Sequence, residues 1–256
     1  MYENELSFAN ELADEADGIA LSYFGRSFEV REKADRTPVT EADITIERAI
    51  RAAVHARFPR DGVLGEEGGS EGDASRRWIV DPIDGTKNFA DGVQLWATLI
   101  AFAVDDVPVV GVVSMPAIGE RYEAARGLGA RLNGDAIHVS RIDSVSRAFV
   151  LFGGMADWLD GPNARGVQKL MSEARRTRGF GDAWAHMLVA RGSADVMVER
   201  ELNTWDWAAV EVVVEEAGGT MSQLDGSPLA HGRSVLSTNG VLHNDVVGRL
   251  RSARGA

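Results

Sequence analysis

The amino-acid sequence predicts an α/β (α+β) fold, and three observations carry that expectation. Two apolar stripes with helical spacing open the chain, short β-rich runs bounded by Gly, Pro or Asp follow, and helical and extended segments alternate from about Ser146 onward. Over residues 4–24, Leu6, Ala9, Leu12, Ala13, Ala16, Ile19, Ala20 and Tyr23 share one face, which predicts an amphipathic helix stopped by Gly25. Residues 27–33 alternate like a short strand. A second helix is expected over 41–58, with Ile44, Ile46, Ala49, Ile50, Ala53 and Val54 as its apolar set. Thr40 suits its N-cap, Glu41 and Asp43 suit the positive helix start, and Pro59 ends it. Strands are expected at 63–67, 76–81, 96–104, 107–115, 121–126 and 136–140. Asp105-Asp106 reads as a hairpin turn, and the glycine-punctuated stretch 127–135 as a connection. Later come a strand at 148–153, two helices with the second at 183–192, a strand at 195–199, a helix at 204–219, two strands and a last helix. No linker or internal repeat interrupts the chain, so one compact unit with two halves is expected; residues 146–176 carry no interpretable motif.

Composition narrows the function. The 256 residues allow one large domain or two tightly joined halves, at roughly 100–200 residues per domain. A hydrophobic content of 45% excludes wholesale disorder, and the lack of cysteine excludes disulfides, thiolate zinc sites and cysteine nucleophiles. Lys and Arg number 27 against 39 Asp and Glu, a net charge of −12 that opposes nucleic-acid binding. The acidic, amphipathic start differs from a basic secretory leader, and no apolar run approaches the ~20 residues of a membrane helix. A soluble, cytoplasmic protein is expected. No GxxxxGK[ST] or GxGxxG motif points to a nucleotide.

The chemistry concentrates in Trp78-Ile79-Val80-Asp81-Pro82-Ile83-Asp84-Gly85-Thr86, a hydrophobic strand that runs into two carboxylates three residues apart. Pro82 fixes its own φ and turns Asp81 away from helical geometry, so the two acids can converge beyond the strand end. A short helix beginning at Thr86 would add amide donors for an anion; taken alone, the Asp-Gly pair is equally an ordinary turn. Gly65-Glu66-Glu67-Gly68-Gly69 reads alone as a solvated acidic loop, and Asp206 in Asn203-Thr204-Trp205-Asp206-Trp207 as a first-turn helix residue. Together, Glu66, Asp81, Asp84 and Asp206 offer the partial carboxylate shell that magnesium favours. The five histidines, His55, His138, His186, His231 and His243, form no close pair at metal-ligand spacing and read as structural or surface residues.

These motifs, in this order, resemble the inositol monophosphatase family of magnesium-dependent phosphatases. The resemblance extends to Lys33, Asp35 and Pro38-Val39-Thr40-Glu41-Ala42-Asp43 upstream, and to Glu215–Gly219 and Ser237–Gly240 downstream, spanning nearly the whole chain. It implies a layered αβαβα sandwich of the inositol monophosphatase and fructose-1,6-bisphosphatase type. This would be a single domain over 1–256, with most metal ligands in 1–145 and Asp206 and the specificity residues in 146–256. It implies a homodimer and two or three Mg2+ ions per site: Glu66, Asp81 and the Ile83 carbonyl on a first ion, Asp81, Asp84 and Asp206 on a second, and Glu66 near a third. Thr86, paired with Asp43, would orient the attacking water, making Glu66, Thr86 and Asp43 the catalytic set. The Gly85 and Thr86 amides would hold the phosphate, with Ile83, Asp84 and Asp206 also facing the substrate.

Three further residues bear on which small phosphate monoester is the substrate. By the resemblance, Glu199 stands where family members contact the leaving group. Asp182, in Arg178-Gly179-Phe180-Gly181-Asp182, stands where inositol-specific members carry a small or hydroxyl residue. Two carboxylates suit a cationic alcohol better than a neutral polyol, and the same phrase resembles the family's histidinol-phosphatase branch. Asp182 also suits an N-cap of the following helix, and Arg178 would either bind substrate or pair with a carboxylate. The expected activity is hydrolysis of histidinol phosphate by metal-activated water. Inositol-1-phosphate hydrolysis is the alternative within the same chemistry, and a non-catalytic phosphate- or metal-binding regulator the alternative outside it.

Overall fold

The computed structural model describes residues 1–26, 30–32, 38–161 and 163–252. Lys33 and Asp35 lie outside the described residues, as does most of the strand expected over 27–33. Among the described residues no helix is long and apolar enough to cross a membrane.

Helix α1 (Glu3–Tyr23), strands β1 (Val30–Glu32) and β2 (Pro38–Thr40), and helix α2 (Glu41–Arg57) open the chain. Thr40 caps α2 reciprocally with Asp43, as its position suggests. Eight strands follow: β3 (Gly62–Gly65), β4 (Gly69–Glu71), β5 (Arg76–Asp84), then, after the short helix α3 (Thr86–Ala90), β6 (Ala97–Val104), β7 (Val107–Met115), β8 (Glu120–Ala125), β9 (Gly129–Leu132) and β10 (Asp135–Ala136). They form one sheet in the order β10-β9-β8-β7-β6-β5-β3-β4, antiparallel except for the β3–β5 pair. The second half contributes β11 (Phe149–Phe152), α4 (Ala164–Glu173), β12 (Arg176–Gly179), α5 (Asp182–Ala190), β13 (Val196–Leu202), α6 (Thr204–Glu216), β14 (Thr220–Ser222), β15 (Arg233–Thr238) and α7 (His243–Ser252). Its five strands pair in the order β12-β11-β13-β15-β14.

Strand periodicity builds the layers. Trp78 and Val80 of β5 point to one face, with Ile100 and Phe102 of β6, and bury Phe8, Leu12, Ile46 and Ile50 of α1 and α2. Ile79, Leu99, Ala101 and Val113 point to the other face and pack on α5 and α6 through Met187, Ala209, Val210 and Val213. Helix α5 turns Ala185, Leu188 and Val189 to Leu151 and Met197 of the second sheet. The outer face of that sheet is closed by Val167 and Leu170 of α4 and Val246 and Leu250 of α7. The result is the five-layer αβαβα sandwich. Helix α6 lies so close to β7 that a Cβ on Gly111 would stand 2.3 Å from the Ala209 carbonyl oxygen.

Three departures from the expected strands have local causes. The strand expected at 136–140 shrinks to β10, because the Val139 N–H crosses to the Ala217 carbonyl at 3.1 Å instead of pairing in the sheet. Residues 129–132, read as connection on account of their glycines, form β9 against β8. The polar edge strand β12 pairs with β11, although its sequence shows no apolar alternation to announce it.

Candidate active site

Strand β5 runs through Pro82 to Asp84, and its pairing with β6 passes from Asp81↔Leu99 to Asp84↔Ala97. One extra residue on β5 makes a bulge where Pro82 has no N–H to give the ladder. The Pro82 carbonyl, turned out of register, accepts a hydrogen bond from the Thr98 hydroxyl at 2.8 Å. The bulge directs both acids toward the first turn of α6, and single carboxylate oxygens of Asp81, Asp84 and Asp206 lie within 4.8 Å of one another. Glu66, in the turn after β3, joins them in a cleft of about 370 Å3 that also takes in Ile83, Thr86 and Asn88.

The electrostatics of this cleft are lopsided. Its lining holds the carboxylates of Glu66, Asp81, Asp84, Asp182, Glu201 and Asp206 against one cation among the described residues, Lys87. Burial first, then the charges of Glu66, Asp84 and Asp206, raise the Asp81 carboxyl well above the usual range. Burial and Asp182 do the same to Asp84, although the Ala183 N–H donating to its Oδ2 at 2.8 Å favours its charged form. Asp206 is pushed up to about 7, chiefly by burial, with the Asn203 N–H opposing at 2.7 Å. Asp43 rises to about 6 for the same first reason, and Glu66 adds to it. One oxygen of Asp81 and one of Asp43 are buried with no hydrogen-bond partner. Crowded, desolvated carboxylates of this kind require protons or a cation between them. An all-oxygen donor set without thiolate or imidazole fits a hard divalent ion such as Mg2+.

Residues 1–254 match the sequence model described as the inositol monophosphatase family. The chain belongs to this family. A histidinol-phosphatase from Streptomyces coelicolor is 41% identical over 259 residues, with 97% of each chain covered. A histidinol-phosphatase from Mycobacterium tuberculosis is 42% identical, covering 98% of this chain and all of its own. A solved inositol monophosphatase from Zymomonas mobilis superposes with a TM-score of 0.88 at 31% identity, over 98% of this chain and 99% of that one.

In this family member the expected residues distribute unevenly. Glu66, Asp81, Ile83, Asp84, Gly85, Thr86, Asp182 and Asp206 all line the cleft. Gly85 is the left-handed N-cap of α3 (φ 79°), and a Cβ there would meet the Leu95 carbonyl oxygen at 3.2 Å and Asp182 Oδ2 at 3.3 Å. No direct hydrogen bond joins Thr86 to Asp43: the Thr86 hydroxyl donates to the Ile83 carbonyl at 3.0 Å, and Asp43 gives one oxygen to Thr40 and keeps the other unpartnered. Asp182 is not an N-cap. Gly181 takes that place, and the Asp182 carboxylate instead accepts from Asn88 Nδ2 at 3.2 Å. Arg178 does not line the cleft; it is exposed on the edge strand β12 and donates to the Thr177 carbonyl at 2.8 Å. Glu199 is absent from the lining too, its oxygens engaged behind the cleft by the Asp182 N–H and by His186.

Sequence reasoning missed Glu47, Asn88 and Glu201. Buried Glu47 accepts the N–H groups of Glu67 and Gly68, each at 2.7 Å, and so holds the turn that presents Glu66. Its spacing to Arg51 signals a helical ion pair, but nothing local announces amide partners 20 residues away.

Proposed function

We propose that this chain is a Mg2+-dependent phosphomonoesterase that hydrolyses L-histidinol phosphate to L-histidinol and phosphate, a step of histidine biosynthesis. The observation that carries the reading is the Asp182 carboxylate on the wall of the same cleft as the convergent Asp81, Asp84 and Asp206. The names of relatives 41–42% identical over nearly the whole chain point the same way. A phosphate dianion does not enter a cleft of six carboxylates unless bound cations reverse the local field. Glu66, Asp81, the Ile83 carbonyl, Asp84 and Asp206 would hold two ions, with a third near Glu66. Bound there, the metal supplies a water of lowered pKa and charge neutralisation for the leaving alkoxide.

The chain's own groups do the remainder. Thr86 keeps its lone pairs for an incoming water because its proton is committed to Ile83. Asp43 is fully buried and does not line the cleft, so it would act on that water only by pairing with Thr86 and not by touching it. Gly85, left without a Cβ, lets the phosphate approach the backbone at the start of α3. Asp182, on the alcohol side, faces the ammonium and imidazole of histidinol, where a neutral polyol offers no charge to pair. We take the enzyme to act in the cytoplasm as a homodimer, which light scattering would report as twice 27.6 kDa.

Phosphate release with Mg2+ from L-histidinol phosphate and from inositol 1-phosphate tests the substrate. We expect kcat/KM to favour histidinol phosphate by at least about tenfold, the worth of one charged contact. Faster turnover of the inositol ester would reverse the assignment, and no release from either would leave a non-catalytic binding protein.

A further inference from the structure

Behind the cleft, three polar side chains from three elements form a buried chain that the catalytic scheme does not use. Ser237 of β15 meets His186 Nδ1 at 2.6 Å, and His186 Nε2 meets Glu199 Oε2 at 3.1 Å. Glu199 Oε1 accepts the Asp182 N–H at 3.1 Å. His186 is 1% exposed, Ser237 is fully covered and Glu199 is 9% exposed, so none of the three reaches solvent freely. Burial at this depth is costly for polar groups, and the chain is repaid only by satisfying itself.

Its outlet is the start of α5. Asp182 adopts φ 53°, a left-handed conformation that a non-glycine residue holds only when neighbours impose it. The neighbours are visible: the Asp182 amide is anchored on Glu199, and the next amide, of Ala183, on Asp84 Oδ2. Consecutive N–H groups thus tie one turn to two carboxylates, and with that turn held, the Asp182 side chain reaches Asn88. Glycine at 153 leaves the space Glu199 needs, since a Cβ there would stand 2.8 Å from Glu199 Oε1.

We propose that His186 is a positioning residue for substrate selection: through Glu199 it holds the left-handed turn at Asp182 and so sets where the Asp182 carboxylate meets the alcohol portion of the substrate. In this arrangement Glu199 is a carboxylate accepting through both oxygens, which puts the proton of the shared bond on His186 Nε2. The inference rests on the histidinol-phosphate reading only for its kinetic consequence.

The structural half is tested on the metal-free protein. Nitrogen-15 shifts of His186 should report a protonated Nε2; a ring protonated at Nδ1 alone would overturn the proposal without any variant. His186→Leu should speed amide exchange at Asp182 by about tenfold or more, the loss of a hydrogen-bonded anchor, and His186→Gln, which keeps a donor nitrogen, should recover most of that protection. Unchanged exchange at Asp182 in the leucine variant refutes the anchor. With Mg2+, the leucine variant should raise KM for histidinol phosphate about tenfold with kcat within about threefold, and leave KM for inositol 1-phosphate nearly unchanged. Equal losses on both esters would assign His186 to general stability instead. Wild-type turnover of histidinol phosphate judges the substrate reading alone, so the two can fail separately.

Discussion

Asp84 answers to two demands at once: an oxygen in the acid cluster and an acceptor for the Ala183 N–H. Asp84→Asn keeps the volume and an acceptor for that amide but removes the charge. We expect the fold to persist and kcat to fall by about 10²–10³-fold with either ester, which circular dichroism and phosphate release would check together. Survival of activity would undo the metal assignment. Asp182→Ala should raise KM for histidinol phosphate with little effect on inositol 1-phosphate, since in the proposed reading this carboxylate is the group that meets the charged alcohol. An unchanged KM would remove its role in selection. The acids of the cluster were legible because their residue types and local spacing carry the chemistry. Arg178 and Glu199 were not, since contact with the cleft depends on which way a side chain leaves its strand and on what neighbours claim it first.

Helix α6 shows how an element delivers such a residue. Its first turn carries Asp206, and its middle rests on β7 where Gly111 admits the Ala209 carbonyl. Gly111→Ala would force the two apart, costing about 1–3 kcal/mol as other overpacked contacts do. For a chain of this size that lowers the melting temperature by roughly 2–4 °C for each kcal/mol; calorimetry showing no shift would mean the helix is free to move. Both apolar-patterned helices and the long central strands were readable from periodicity. Edge strands β4 and β12 were not, because an edge strand need not bury a face and so shows no alternation to read; β9, one strand in from the edge, is only partly buried and its glycines mask it.

Across the whole molecule, the carboxylate cluster couples folding to pH and to metal. Asp43 is raised from 3.8 to about 6, and Asp182 and Asp206 to about 7. An acid with a raised folded pKa contributes stability that is complete below its unfolded value and is lost as pH rises through the folded one. The metal-free protein should therefore lose stability as pH climbs from about 4 to 7, and remain weakened above. Cations that take the place of the protons should restore it: at about 100 times the dissociation constant the gain is near 2.7 kcal/mol, or about 5–10 °C, and larger at pH 8 than at pH 5. Differential scanning fluorimetry with Mg2+ and with a chelator reads this directly; a Mg2+ shift that is absent, or that shrinks with rising pH, would contradict it.

The net charge of −12 takes its meaning from this arrangement. By itself the sequence determined the strand-borne acids, the helix start that carries Asp206 and the family to which they belong, because each is written in residues that are neighbours along the chain. Tertiary structure alone decided which acids share a cleft and which are claimed from behind. It placed Asp182, from the second half of the chain, beside Asn88 and Asp84 from the first, and turned Glu199 inward to His186, which in turn meets Ser237. The pairs Asp182–Asn88, Glu199–His186 and His186–Ser237 lie 94, 13 and 51 residues apart. No local pattern encodes such meetings; the layered packing of the two sheets around α5 and α6 brings them about.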